Sequence, residues 1–243
     1  MEGPSLVILK EILKPFKGKK IYEASGTTTR IEPDQLMGKK VIDFQSWGKH
    51  LLIVFETFSL RIHFLMSGSY RINEKKDAKP RLHLEFNKGE LNFYSCSIIK
   101  IDEDLDDVYD WSADVMNDRW DPKKARRRIK KEPERTVSDV LLDQTIFAGV
   151  GNIIKNEVLF RIRVHPETII GNLPPRKLTA LINEARNYSF DFYRWKKIYQ
   201  LKKHWLMYTK RKCPECKGPV TKRHTGVNSR RSFFCENCQP LYV

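Results

Sequence analysis

Apolar residues recur at helical spacing near the start of the chain, and then at shorter, partly alternating spacing. Residues 5–16, SLVILKEILKPF, have the first pattern and predict a helix that ends at Pro15. Several later segments are short and rich in β-branched or aromatic residues, with turn residues such as those at 87–89 between them. Such segments predict strands, and several in succession predict a β-sandwich or barrel. The segments are VIDFQSWGKHLLIVFE, SLRIHFLMSG, RLHLEF and ELNFYS.

Helical spacing returns from about residue 136. VLLDQ follows cap candidates at 136–139, IIKNEVLFRI continues the pattern, and LPPRKLTALINEARNYSFDFYRW begins near two prolines, as helices often do. The preceding stretch, DPKKARRRIKKEPE, is densely basic and has few apolar residues. We interpret it as a linker or domain edge, and a solvated connector and a phosphate-facing strip are equal alternatives for it.

These patterns predict an α+β multidomain protein. An N-terminal β-sandwich with a leading helix is expected over residues 1–120, and a helical domain over 121–205. A basic segment with four cysteines occupies 206–243.

The charge balance indicates the class of partner. The chain has 45 Lys+Arg against 30 Asp+Glu, a formal net charge of +15, which favours polyanions such as nucleic acid or an anionic membrane. No stretch reaches about 18 uninterrupted apolar residues, and no cationic segment leads into an apolar one at the start. We therefore expect a nucleic-acid partner, no membrane partner, and a cytoplasmic or nucleoid location.

The cysteines give the most specific signal. Four of them form two Cys-x2-Cys pairs, which in a non-secreted protein indicate metal rather than disulfides. Four thiolates fill the tetrahedral shell of Zn²⁺, so the spacing predicts one structural zinc ion in a two-stranded ribbon. Cys96 stands alone and is expected to be a buried hydrophobe. The predicted ligands are Cys213, Cys216, Cys235 and Cys238.

Two shorter motifs are weaker signals. FAGVGN, residues 147–152, has two glycines before a predicted helix that begins at Asn152, and its bare backbone N–H groups suit a phosphate. A simple tight turn is the alternative. In WGKHLL, Lys49 follows a glycine turn and leads into an apolar strand, for which an ordinary surface lysine is the alternative.

Taken together, the motifs resemble the formamidopyrimidine-DNA glycosylase / endonuclease VIII (Fpg/Nei) family, in the right order and over essentially the whole chain. LLDQTIFAGVGNIIKNEVLFRIRVHP resembles its helix–two-turns–helix element, GKHLL its lysine turn, and HFLMSG its strand with a void-filling methionine. The four-cysteine tail resembles its zinc finger, with Arg230 five residues before the third cysteine. MEGPS resembles its catalytic N-terminus.

The resemblance implies a DNA base-excision enzyme that acts on damaged double-stranded DNA as a monomer, without a small-molecule cofactor. An N-terminal amine attacks C1′ of the flipped nucleotide, forms a Schiff base, releases the base and then cleaves the strand by elimination. Met1 would supply the amine, which ordinarily titrates near 7.7–8 and so is partly neutral in the cell. Glu2 would protonate the sugar ring oxygen and shuttle protons, with a Gly3-Pro4 turn holding the two residues in place.

The resemblance also implies a set of DNA contacts. Lys49 would bind a phosphate beside the lesion, and Asn152 and Arg230 would clamp the phosphates around the flipped nucleotide. Tyr208 corresponds to a further phosphate contact. Met66 would fill the gap that the flipped base leaves, which offsets part of the cost of flipping.

Three departures from the family pattern bear on this function. Glu2 follows Met1 directly, where the family has Met-Pro-Glu, so the nucleophile would be a primary amine. Ser5 stands where a second glutamate is usual. The segment after LNFYS lacks the family's Pro-Arg-Arg-Phe wedge, which favours oxidised pyrimidines and abasic sites over 8-oxoguanine.

Three functions follow as alternatives. The first is a DNA glycosylase with abasic-site lyase activity. The second is a catalytically impaired or inactive member of the same family that binds damaged DNA, because Met1 replaces the nucleophilic proline. The third is a zinc-ribbon protein that binds RNA or ribosomes, but this function does not account for MEGPS or FAGVGN.

Overall fold

A computed structural model describes residues 1–243, which divide into two compact units. The first unit contains Met1 and Ser5–Tyr109, and the second contains Glu2–Pro4 and Asp110–Val243. The chain's second, third and fourth residues thus belong to the same unit as its last residue. No helix in the protein combines the length and the apolarity that crossing a bilayer requires.

The first unit is the predicted β-sandwich. Its two antiparallel four-stranded sheets have the strand orders β1-β6-β7-β5 and β2-β3-β4-β8. Apolar side chains from both sheets form one buried cluster. The strands are β1 (Ile21–Ser25), β2 (Asp43–Trp47), β3 (His50–Val54), β4 (Ser59–His63), β5 (Ser69–Ile72), β6 (Leu82–Phe86), β7 (Gly89–Tyr94) and β8 (Ser97–Ile101).

Helix α1 (Gly3–Leu13) is the predicted leading helix, and its Leu6, Leu9 and Leu13 join the sandwich core. A single 3-10 turn that contains Pro15 follows it. The predicted Gly3-Pro4 turn is wrong, because both residues lie in the first turn of α1. Proline fits there because the first N–H groups of a helix have no partner within it.

The helices of the second unit include one at the stretch interpreted as a linker. Helix α3 covers most of this basic stretch, so the linker interpretation is wrong. Asp121 caps its start through hydrogen bonds to the backbone N of Lys123 and Lys124, and Ala125 and Ile129 are buried beneath it. The helices are α2 (Leu105–Val108, in the first unit), α3 (Pro122–Lys130), α4 (Val137–Leu142), α5 (Asn152–Arg161) and α6 (Pro175–Lys197).

The second unit ends in the predicted two-stranded ribbon. Strands β9 (Thr221–Thr225) and β10 (Arg230–Phe234) pair as an antiparallel hairpin. Phe233, Cys213 and Cys235 pack with Phe160 of α5 in a small apolar cluster. We call β9, β10 and the turn between them the hairpin.

Candidate functional site

Glu2 lies at the start of α5. Its Oε1 accepts a hydrogen bond from the backbone N of Ile153 at 2.7 Å, and its Oε2 accepts one from Ile154 N at 3.2 Å. A helix start carries unpaired N–H groups and a partial positive charge, so a carboxylate is favoured there. The sequence analysis assigned the bare N–H groups at this helix start to a phosphate. This is corrected for two of them, which donate hydrogen bonds to a carboxylate of the same chain.

The FAGVGN turn is shaped to admit that carboxylate. A Cβ on Gly151 would lie 2.4 Å from Cδ of Glu2, so only glycine leaves room. Gly149 has a φ of +98°, and its carbonyl accepts a hydrogen bond from the backbone N of Gly3 at 2.9 Å. The side chain of Gln144 bonds the turn twice, accepting from Gly149 N and donating to the Val150 carbonyl.

Side chains of α5 hold the hairpin. Three donors approach the backbone carbonyl of Arg231: Asn152 Nδ2 at 2.9 Å, Lys155 Nζ at 3.3 Å and Asn156 Nδ2 at 3.4 Å. Asn152 is thereby linked to the strand that begins at Arg230. The structure therefore brings Glu2, Asn152 and the Arg230 strand to the N-terminal end of one helix.

The tip of the hairpin has an anchor of its own. Oδ1 of Asp139, on α4, accepts a hydrogen bond from Val227 N at 3.0 Å. A Cβ on Gly226 would lie 2.2 Å from that same oxygen, and Gly226 has a φ of +72°. The hairpin is thus fixed to the helices at its tip and along β10.

Tyr208 is positioned by a buried carboxylate. Glu157 of α5 is fully buried, and its Oε1 accepts hydrogen bonds from the backbone N of Met207 at 2.9 Å and of Tyr208 at 2.8 Å. The Tyr208 ring lies edge-on to the rings of Trp205 and Phe233. The backbone around this tyrosine is therefore tied directly to α5.

The four predicted metal ligands converge. All four sulfur atoms lie within 4.8 Å of one another, with Cys213 and Cys238 Sγ 3.7 Å apart and Cys216 and Cys235 Sγ 3.4 Å apart. Zn–S bonds of about 2.3 Å in a regular tetrahedron separate the sulfurs by about 3.8 Å. The cluster therefore fits a tetrahedral ion with four thiolate ligands. Cys96 lies elsewhere and is buried, as predicted.

In the first unit, Lys49 lies in the two-residue turn that joins β2 to β3. Trp47 and His50 form the last pair of this hairpin, and Gly48 takes the positive φ of +52° that the turn requires. The sequence prediction of a glycine turn that leads into an apolar strand is confirmed.

Met1 is the other predicted site residue of this unit. Its side chain packs against the sandwich core. The pKa of His63, on β4, is lowered by burial, by the positive charge of the Met1 amine, and by Lys49 and Arg61. His63 Nδ1 accepts a hydrogen bond from the backbone N of Leu65 at 3.2 Å. The charges of the Met1 amine and Lys49 thus favour the neutral form of His63.

Met66 does not lie on a strand. It lies in the turn between β4 and β5, with 83% of its surface exposed, beside Leu65 with 52% exposed. Leu65 has a φ of +47°, which is strained for a bulky residue. The prediction of a strand is therefore wrong at this residue, and the turn presents two apolar side chains to solvent.

Sequence reasoning missed four residues that shape these groups: Gln144, Lys155, Glu157 and His63. Lys155 and Glu157 belong to a three-residue polar run inside IIKNEVLF, and the apolar residues on both sides of this run are the signal that it is buried. His63 alternates with apolar residues on a predicted strand. Nothing in the local pattern distinguishes Gln144.

Comparison with known proteins identifies related domains and folds. The N-terminal domain model of formamidopyrimidine-DNA glycosylase matches residues 2–96, and the H2TH domain model of formamidopyrimidine-DNA glycosylase matches residues 112–188. Endonuclease 8-like 3 of Mus musculus is 32% identical over 80% of this chain and 34% of its own length. Endonuclease 8 2 of Mycobacterium bovis is 29% identical over 70% of this chain and 67% of its own length.

The chain spans about a third of the length of the endonuclease 8-like 3 proteins that it matches. Two solved structures share the fold over almost all of both chains. A viral DNA glycosylase has a TM-score of 0.86 at 18% identity, covering 99% of this chain and 100% of that one. Lactococcus lactis Fpg, in a complex with abasic-site DNA, has a TM-score of 0.85 at 22% identity, covering 98% and 99%.

Proposed function

Because the chain belongs to the formamidopyrimidine-DNA glycosylase / endonuclease VIII family, we propose that it repairs damaged duplex DNA as a glycosylase and abasic-site lyase. The observation that carries this proposal is the placement of Glu2. A carboxylate that immediately follows the Met1 amine in the chain is held by two backbone N–H groups at the start of α5. A fixed proton-transfer group beside a nucleophile is what Schiff-base chemistry needs.

The reaction begins with the lone pair of the Met1 amine. The nitrogen attacks C1′ of the damaged nucleotide, the bond from C1′ to the base breaks, and the leaving base takes up the proton that the amine nitrogen loses. Glu2 protonates the sugar ring oxygen as the ring opens to the Schiff base. The Glu2 carboxylate then takes a proton from C2′, the bond from C3′ to its phosphate oxygen breaks, and water hydrolyses the Schiff base to release the sugar end from Met1.

Basic and polar groups of both units would bind the DNA backbone. In the second unit these are Asn152, Arg230 and Tyr208, which α5 holds directly or through the hairpin. In the first unit Lys49 projects from the β2–β3 turn. Met66 on its exposed turn is suited to enter the gap that a flipped base leaves.

We propose that the four cysteines bind one Zn²⁺ ion. The sulfur distances fit its tetrahedral shell, and a shell filled by four thiolates leaves no open position for substrate. The ion would stabilise the two cysteine turns at the base of the hairpin, so its role is structural.

Borohydride trapping tests the proposed function. A duplex with a single abasic site is mixed with the protein and borohydride, and the adduct is digested and located by mass. An adduct on Met1 is expected. An identical duplex without the abasic site is the control.

The other outcomes separate the alternatives. An adduct on a lysine would identify that lysine, instead of Met1, as the nucleophile. Tight binding of the abasic duplex without an adduct would favour the non-catalytic binder, for which the direct Met1-Glu2 junction is the supporting observation. Base release from oxidised-pyrimidine and 8-oxoguanine duplexes, measured in parallel, then tests the expected preference for oxidised pyrimidines.

A further inference from the structure

The carbonyl of Arg231 has more donors than it needs. A carbonyl oxygen carries two lone pairs, yet Asn152, Lys155 and Asn156 all approach it within 3.4 Å. One of the three donors can therefore turn away while the other two still donate hydrogen bonds to the carbonyl.

Asn152 is the donor that is placed to leave. It is the first residue of α5 and is only half-buried, whereas Asn156 and Lys155 are buried. Asn156 is held from its other side, because its Oδ1 accepts a 2.7 Å hydrogen bond from the backbone N of Phe233.

Lys155 is the donor that is placed to stay. Its side chain is fully buried, and its Nζ lies 2.7 Å from the hydroxyl of Ser232 as well as 3.3 Å from the Arg231 carbonyl. The Ser232 hydroxyl is in turn 2.6 Å from that of Thr225 on β9. One ammonium group therefore connects α5 to both strands of the hairpin.

We propose that Lys155 is a positioning residue for DNA binding. It holds the hairpin, and with it Arg230, against α5 while the Asn152 amide turns from the Arg231 carbonyl to a DNA phosphate. This inference rests on the proposed function, because it takes Asn152 and Arg230 as the phosphate contacts.

Burial disfavours the charged form of Lys155. Its ammonium group is therefore stabilised by the hydrogen bonds to Ser232 and to the Arg231 carbonyl. Burial, and then the positive charge of Arg230, lower the pKa of Lys155 to about 8, while Asp139 and Glu2 act in the opposite direction. A methionine would fill a similar volume without that desolvation penalty. An apolar side chain would lack the bonds to Ser232 and Arg231.

Equilibrium binding of a duplex with a tetrahydrofuran abasic-site analogue tests the proposal. Four variants are compared with the wild type: Lys155→Met, Arg230→Ala, the double variant, and the control Lys203→Met, which removes an exposed lysine. We expect Lys155→Met to weaken binding at least tenfold and the control to stay within twofold. Since Lys155 acts through Arg230, the double variant should bind within about twofold of Arg230→Ala.

Two results would overturn the proposal. One is wild-type affinity in Lys155→Met. The other is a double variant whose loss is the product of the two single losses, because this would mean that Lys155 acts independently of Arg230.

Amide hydrogen exchange without DNA gives a second readout. In Lys155→Met, the amides of residues 230–234 should exchange at least tenfold faster while those of α6 are unchanged. A uniform acceleration across the second unit would indicate a general structural role and contradict the proposal. If the wild type bound no DNA, the proposed function would fail, yet exchange would still decide whether Lys155 positions the hairpin.

Discussion

Glu2 and Ile153 are 151 positions apart in the chain, and Glu2 Oε1 accepts a 2.7 Å hydrogen bond from the backbone N of Ile153. The same carboxylate accepts a second bond from Ile154. It therefore caps a helix at the same time as it follows the proposed nucleophile. Changes on either side of this contact should affect both stability and chemistry.

Glu2→Gln should lower both the free energy of unfolding and the rate of borohydride trapping. Loss of the negative charge at the helix start should cost about 1–2 kcal/mol in the free energy of unfolding. Loss of the proton-transfer group should slow borohydride trapping by roughly 10²–10⁴-fold. Urea unfolding and trapping rates measure the two effects, and Glu134→Gln, at an exposed glutamate, is the control. Trapping at the wild-type rate in Glu2→Gln would show that Glu2 takes no part in the reaction.

Gly151→Ala should slow borohydride trapping although it changes no residue that takes part in the reaction. The new Cβ would lie 2.4 Å from Glu2 Cδ and must displace the carboxylate, whereas the φ of −121° at Gly151 suits alanine. Trapping should fall toward the level of Glu2→Gln with metal content unchanged. Gly171→Ala, whose nearest neighbour is the Pro133 carbonyl at 3.4 Å, is the matched control. Equal trapping in the two alanine variants would contradict this prediction.

Metal removal should weaken DNA binding. We expect one zinc ion per chain by elemental analysis, and its loss in Cys235→Ser or after chelation. The hairpin, which packs beside Cys213 and Cys235, should then unfold locally and release Arg230. DNA affinity should fall at least tenfold, while Cys96→Ser should retain zinc and affinity. Wild-type affinity in zinc-free protein would show that the hairpin folds without the ion.

Acid should destabilise the first unit through His50. Burial, followed by the charges of Arg61, His63 and Lys49, lowers the pKa of His50 to about 3. In the unfolded chain this histidine gains its proton near pH 6.5, so between about pH 6.5 and 3 the unfolded state binds more protons. The free energy of unfolding should therefore fall as the pH is lowered across that interval.

The measurement is denaturant unfolding between pH 7 and pH 4 for wild type and His50→Phe. Phenylalanine keeps the ring contacts with Trp47 and Tyr109 but does not titrate. The variant should therefore lose less stability than wild type between the two pH values. Parallel pH profiles would exclude His50 as a cause of acid lability.

Much of the fold follows from local pattern. The sandwich, the leading helix and the cysteine ribbon were predictable because alternation, helical spacing and paired cysteines are short-range signals. Strand β1 was not predicted, since its burial does not alternate and its pairing with β6 shifts register after Ile21. Helix α3 was missed because only Ala125 and Ile129 reveal its buried side among many basic residues.

The candidate site was predictable only through resemblance to a family. Nothing near Glu2 in the chain indicates Ile153 as its partner, because no periodicity connects residues so far apart. Lys155 is one of 45 basic residues, and its burial depends on how the hairpin packs on α5. These long-range contacts are properties of tertiary packing, which a single sequence does not display.

The membership of Glu2–Pro4 in the second unit has a consequence for how this protein can be dissected. A fragment that starts at Asp110 would lack the carboxylate that caps α5, so no single cut yields both units intact. The same arrangement bears on synthesis at the ribosome. Glu2 is translated before its partners at 153 and 154, which follow it by 151 and 152 positions. The second unit therefore combines segments that lie far apart in the sequence, and we expect its final assembly to be a late, long-range event in folding.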